Sequence, residues 1–287
     1  MDQIDIATHS GLHYETHGSG RPVLFLHGFG AHLYTWKHLV EPLSKRNRIL
    51  LADLKGHGQS PKPKDKKYSV YDQADLVHEL ICKENLSDLT IVGHSFGGAV
   101  ALVVALRFIE EKELRLSKLA LLDSAAFRQS LPRFVKMLRT TLINVISLNL
   151  LPYKFQIRTV LWETYFDSAK ISEDFVESYA KILGMPGAKH ALMETAKQII
   201  PSDIDRLASE YRKIKLPTLI VWGGEDRTVP LEIGERLSQV LPNSEMVVIE
   251  KCGHVPQEEQ PEELLKIISR FLARPSPGLF TNLRQKT

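Results

Sequence analysis

Residues 89–106, LTIVGHSFGGAVALVVAL, constrain the fold of this chain more than any other stretch. A β-branched apolar run leads directly into Gly93-His94-Ser95-Phe96-Gly97, and an apolar run of helical length follows. A strand that turns this sharply into a helix tolerates only small residues two positions either side of the serine, because larger ones clash with its strained backbone. The turn lifts the Ser95 hydroxyl to the carboxyl edge of a sheet. The helix that starts there aims its unpaired N–H groups at the same spot, where they favour developing negative charge. The same letters also fit an ordinary turn with an incidental serine, but the order strand, elbow, helix favours a nucleophile.

The rest of the chain has a matching texture. PVLFLHG, RILLAD, LTIVGHS, KLALLD, TLIVWG and EMVVIE are short, nearly continuous apolar runs, as expected for strands buried on both faces. Amphipathic stretches at 70–85, 97–111, 230–241 and 261–272 read as helices between them. Ahead of these, DIATHS and LHYETH flank Gly11 and read as an antiparallel hairpin. The expectation is an α/β fold with a mostly parallel eight-stranded sheet flanked by helices. From about residue 126 to 210 the strands stop, and helical stretches are punctuated by Pro132, Pro152, Gly184-Met185-Pro186-Gly187 and Pro201. This interval reads as an inserted helical cap over the active edge. The expected organisation is therefore a core of 1–125 and 211–273, a cap of 126–210, and a flexible tail of 274–287.

Composition excludes several classes of function. At 287 residues, 43% hydrophobic and 25% charged, the chain is ordinary for a globular protein, and disorder of the chain as a whole is excluded. The net charge of +3 is dispersed apart from PKPKDKKY at 61–68, which reads as a solvated loop, so no nucleic-acid partner is expected. Two cysteines, Cys82 and Cys252, are too few for a disulfide framework, and the first residues lack the pattern of a signal peptide. A cytoplasmic location is expected. The apolar stretch Leu142 to Leu151 is broken by Asn144, Ser147 and Asn149 and is too short to span a bilayer, so no integral membrane span is expected.

A serine hydroxyl needs a base to take its proton, and the base works best when a carboxylate fixes its tautomer and stabilises its charged form. Downstream, TLIVWGGEDRTVP supplies Asp226 and EMVVIEKCGHVPQEE supplies His254, each on a loop after a strand, at the edge where open α/β sheets place their sites. Glu225 and Asp123, the latter closing KLALLD, are rival carboxylates. Eleven histidines compete with His254, and its place after the last strand selects it. The order Ser95, Asp226, His254 is the one found in α/β-hydrolases.

With these motifs in place, the chain from about residue 10 to 273 resembles the α/β-hydrolase fold superfamily. The resemblance extends to His27-Gly28-Phe29-Gly30 after the first buried strand and to Asp53-Leu54-Lys55-Gly56-His57-Gly58-Gln59-Ser60 after the next. It implies that the backbone N–H groups of Phe29 and Phe96 form an oxyanion hole, worth about 3 kcal/mol per donor in rate. It also implies that His27 and His57 are structural, with rings bonded to neighbouring backbone, and that His94 packs beneath the elbow.

Relatives with aspartate at the elbow are haloalkane dehalogenases and epoxide hydrolases, so serine here disfavours both activities. Relatives that cleave C–C bonds usually carry Trp directly after the histidine, where this chain has Val255. The expected activity is that of a serine carboxylesterase acting on a small-molecule ester, with C–C, amide or thioester hydrolysis, or a receptor-like role, as alternatives. No cofactor or metal is called for. Within the cap, Phe127, Phe134, Met137, Leu138, Trp162, Tyr165 and Phe166 are the apolar residues from which a pocket would be built. Phe127, Phe134, Leu138, Trp162 and Val255 are the candidate substrate contacts. Arg128, Arg133, Lys136 and Arg139 recur nearby and read as a solvated helix face.

Overall fold

The computed structural model describes the backbone of residues 5–9 and all of residues 11–139 and 150–275. The expected tail beyond residue 275 and residues 142–149 of the apolar stretch lie outside the described residues. Eight strands form one sheet: β1 (Asp5–His9), β2 (Leu12–His17), β3 (Arg21–Leu26), β4 (Asn47–Ala52), β5 (Leu89–His94), β6 (Leu116–Leu122), β7 (Thr218–Gly223) and β8 (Ser244–Ile249). Their order is β1-β2-β4-β3-β5-β6-β7-β8. The β1–β2 and β2–β4 pairs are antiparallel and the other five are parallel. Gly93 of β5 stands beside Leu26 of β3 and Leu121 of β6, so the elbow emerges from the middle of the sheet.

Strand side chains alternate between two apolar layers, as a pleated sheet buried on both faces requires. Leu24, Leu26, Leu50, Ile220 and Trp222 face one layer, together with α2 (Val70–Lys83), α3 (Phe96–Glu110) and α9 (Leu231–Val240). Val23, Phe25, Ile49, Leu51, Leu219 and Val221 face the other, with α1 (Lys37–Ser44) and α11 (Pro261–Ala273). Each Val, Leu or Phe fully buried in these layers contributes about 1.5–3 kcal/mol. Helix α3 is apolar around its whole circumference because it lies against the sheet on one side and α2 on the other. A reciprocal capping box between Ser69 and Asp72 starts α2.

Several expectations need correction. The β8 strand is an edge, and Val248 on it is 43% exposed, so it is not buried on both faces. Helix α1 carries Pro42 within eight residues, and its pattern is too short and interrupted to read as a helix from sequence. The loop at 61–68 is only partly solvated: Lys62 donates to Gly58 O and Ser60 O at 2.5 and 3.0 Å, and Tyr68 is fully buried. Arg274, assigned to the tail, pairs with Glu245 at 2.7 Å, and its carbonyl accepts from Lys118.

Between β6 and β7 the described residues hold five α-helices: α4 (Arg133–Arg139), α5 (Tyr153–Thr164), α6 (Glu173–Leu183), α7 (Ala188–Gln198) and α8 (Ile204–Glu210). They pack through small apolar clusters of their own. One joins Leu161, Tyr165, Phe175, Val176 and Tyr179 to Val255 of the core, and another joins Val135, Leu138 and Ala196. The short helix α10 (Pro256–Glu259) links the loop after β8 to α11. Among the described residues no helix is long and apolar enough to cross a membrane.

Candidate active site

Ser95 sits between β5 and α3 with φ 52° and ψ −116°, a backbone conformation that costs a non-glycine residue about 1–3 kcal/mol. The surroundings fix it there. Its N–H donates to Leu122 O at 2.9 Å, and its carbonyl accepts from Gly98, Ala99 and Ala125. A Cβ at Gly97 would lie 2.3 Å from Leu26 O, and one at Gly93 would lie 2.6 Å from Gly97 O. The small residues of the elbow are therefore required by close backbone approach on both sides of the serine.

His254 arrives on the loop between β8 and α10, its Nε2 2.9 Å from Ser95 Oγ and its Nδ1 2.7 Å from Asp226 Oδ2. Asp226 Oδ1 accepts from Thr228 N and Val229 N at 2.7 and 3.0 Å, in a side-chain-closed turn after β7. With the carboxylate accepting, the imidazole proton lies on Nδ1 and the Nε2 lone pair faces the Ser95 O–H. The Asp226 and His254 side chains are 0% and 6% exposed. His94 donates from Nε2 to the His254 carbonyl at 2.7 Å, with the two rings 4.9 Å apart. Burial, then His254 itself, hold His94 well below the ordinary imidazole range, so it lends no competing charge.

The rival carboxylates fall into distinct places. Glu225 is exposed. Asp123 is buried at φ 43° and accepts from Gly223 N at 2.8 Å. Burial, then the Asp226 charge, push the Asp123 carboxyl well above the usual carboxylate range. Asp226, not Asp123, is the carboxylate in hydrogen-bond contact with His254 Nδ1.

Phe29 follows β3 directly across from the elbow, and a Cβ at Gly28 would lie 3.1 Å from Ser95 Cβ. Its N–H has no hydrogen-bond acceptor among the described residues, and Phe96 N–H lies in the first turn of α3, where no intrahelical acceptor exists. The loop carrying Phe29 is braced by His27, which donates from Nδ1 to Gly28 O at 2.8 Å and accepts at Nε2 from Leu54 N at 3.0 Å. His57 likewise bonds Lys55 O through Nδ1 at 3.1 Å, and burial, then His27, push it down to about 3.

Asp53, which the sequence marks only as one letter of a motif, is the hub of this region. It accepts from Leu33 N, Gln59 N and His13 Nδ1 at 2.8, 2.7 and 3.1 Å. Burial opposes its ionisation, but His13, His27 and the two amides outweigh that and hold it at about 2.

A cavity of ≈ 340 Å³ opens on Ser95 and His254 and runs between the core and the helical insertion. Phe127, Phe134, Leu138 and Val255 line it. Trp162 does not: it is 63% exposed on the outer side of α5. Tyr165 and Phe166 are also absent from the wall; Tyr165 turns inward and donates to Glu258 Oε2 at 2.8 Å. Of the nearby basic residues, Arg128 pairs with Asp205 while Arg133 reaches the cavity wall. Glu258 and Glu259, which bind the insertion to the core, carry no signal in the sequence, because adjacent acids in QEEQ look like a solvated surface.

Residues 21–261 match the family described as the alpha/beta hydrolase fold. The chain is 28% identical over 262 residues to a 2-hydroxy-6-oxo-2,4-heptadienoate hydrolase of Pseudomonas putida, covering 89% of this chain and 90% of that protein. It is 26% identical over 270 residues to Lipase 1 of Psychrobacter immobilis, covering 92% and 81%. The solved structure of the epoxide hydrolase CorEH without ligand superimposes with a TM-score of 0.81 at 22% identity, covering 95% of this chain and 99% of the other. The names of these relatives agree on hydrolysis and differ in the bond cleaved. The sheet order, the elbow and the match over residues 21–261 lead to one conclusion: this chain belongs to the α/β-hydrolase fold family.

Proposed function

We propose that this chain is a serine hydrolase that cleaves carboxylic esters of small or medium apolar substrates through an acyl-enzyme on Ser95, with residues 126–210 as its cap. The observation that carries this reading is the unbroken chain from Asp226 through His254 to Ser95 Oγ, with links of 2.7 and 2.9 Å, at the floor of an apolar cavity. Ser95 Oγ attacks the ester carbonyl while His254 Nε2 takes its proton, and Asp226 stabilises the imidazolium that forms. The carbonyl oxygen becomes an oxyanion between Phe29 N–H and Phe96 N–H, which gain strength as the charge develops. Collapse expels the alcohol, which takes the proton from His254. Water then attacks the acyl-enzyme by the same route and releases the acid.

The proposal includes a cytoplasmic location, a reading supported by Cys82 and Cys252, which are unpaired thiols. The cavity supports an acyl group of modest length, since Phe127, Phe134, Leu138, Leu192 and Val255 offer it apolar contact. Hydrolysis of p-nitrophenyl esters from acetate to palmitate tests the reading. It predicts turnover with an optimum at short or medium chains; absence of turnover across the series would overturn it in favour of C–C, amide or thioester cleavage or a receptor-like role.

A further inference from the structure

The loop that carries His254 is bound to the helical insertion as well as to its own sheet. His254 N–H donates to Thr164 O at 2.7 Å, and a Cβ at Gly253 would lie 2.3 Å from the same oxygen and 2.6 Å from Phe166 N. One side chain closes this seam. The Glu259 carboxylate accepts from Gly253 N at 2.6 Å through Oε2, from Phe166 N at 3.1 Å through the same oxygen, and from Asp167 N at 2.7 Å through Oε1. It is 3% exposed, and its own carbonyl accepts from Lys170 Nζ at 3.1 Å. Beside it, Glu258 takes the hydroxyls of Thr35, Tyr165 and Tyr179, so two consecutive carboxylates grip the insertion from the helix that follows His254.

We propose that Glu259 is a positioning residue: by holding Gly253 on one side and Phe166 and Asp167 on the other, it fixes His254 and the cap as one unit. It touches no reacting atom. Three N–H groups, that of Gly253 buried and those of Phe166 and Asp167 part-buried, lose their shared acceptor if it is removed, and two of them belong to the cap while the third adjoins the base. A His254 loop freed from this clamp shifts against Ser95, and displacements of about 1 Å at reacting groups cost about 100-fold in rate. Substrate packing against the cap therefore also sets the alignment of the base.

This inference rests on the serine-hydrolase reading, and its test uses a probe that does not require ester turnover. The rate of Ser95 labelling by a fluorophosphonate reports directly on the Ser95–His254 pair. Glu259→Gln, which keeps an acceptor oxygen, should slow labelling about 10-fold, and Glu259→Ala about 100-fold, both with circular dichroism of the folded state. If esters are turned over, kcat on p-nitrophenyl acetate should fall in the same order with KM changed less than about 3-fold. Should the glutamine variant unfold, Glu259→Asp keeps the charge but withdraws it by one methylene and should slow labelling in the same way. Wild-type labelling rates in a folded Glu259 variant would overturn the positioning role. Failure of the wild type to label at Ser95 would instead overturn the hydrolase reading on which it stands.

Discussion

Adding one methyl group at Gly97 tests how the elbow is built. A Cβ there would stand 2.3 Å from Leu26 O, 2.5 Å from His27 O and 2.7 Å from Leu26 C, all backbone atoms that cannot rotate away. Carbon–oxygen contacts settle near 3.3 Å, so relief requires the start of α3 and the end of β3 to separate by about 1 Å. Those two segments carry Phe96 N–H and lead into Phe29 N–H, so the displacement opens the proposed oxyanion hole. Gly97→Ala should therefore lose about 100-fold in kcat and about 1–3 kcal/mol in stability. Gly224→Ala is the matched control, because a Cβ there meets Val248 Cγ1 at 3.4 Å, an ordinary contact. Urea denaturation and initial rates on p-nitrophenyl butyrate would measure both. A Gly97→Ala enzyme with wild-type kcat and stability would refute the claim that close backbone approach holds the elbow in place.

Further outcomes follow from the same geometry. Asp226→Asn should lower kcat about 10⁴-fold by presenting the wrong partner to His254, whereas Asp123→Asn leaves the Asp226–His254 hydrogen bond in place and should cost less than about 10-fold; steady-state kinetics of both variants decides. His57 is held at about 3 in the folded protein against about 6.5 unfolded, so unfolding takes up a proton there at mildly acid pH. Its contribution to stability is present above about pH 6.5 and is lost as pH falls towards 3. His57→Gln should thus reduce the slope of unfolding free energy between about pH 4 and 6 by about 1.4 kcal/mol per pH unit, measured by urea titration at several pH values. Leu138→Trp should fill the cavity and cut kcat/KM on longer esters at least about 10-fold, while Trp162→Ala, which changes an outward-facing residue, should leave the chain-length profile unchanged.

What could be read from sequence divides along a physical line. The strands, α2, α3, α9 and α11 were legible because their apolar periodicity is local, and Ser95, Asp226 and His254 because each follows a strand at the same sheet edge. The sheet order then brings together side chains that are 159 and 28 residues apart in sequence. Trp162 was misjudged because an apolar residue on an insertion helix carries no mark of which face meets the cavity. Asp123 was legible as a strand-end acid, but the upward push on its carboxyl comes from burial and from Asp226, which only the tertiary structure supplies. Glu259 was invisible for a related reason: its partners Phe166 and Asp167 lie more than 90 residues earlier, and backbone N–H groups leave no letter in the sequence.

The central claim is that Ser95, activated by His254, is the nucleophile. The most direct measurement compares kcat/KM of the wild type and a folded Ser95→Ala variant on the best ester of the p-nitrophenyl series. A loss of at least about 10⁴-fold with unchanged thermal stability is the predicted result. A well-folded Ser95→Ala protein that retains activity within about 10-fold of the wild type would contradict the account.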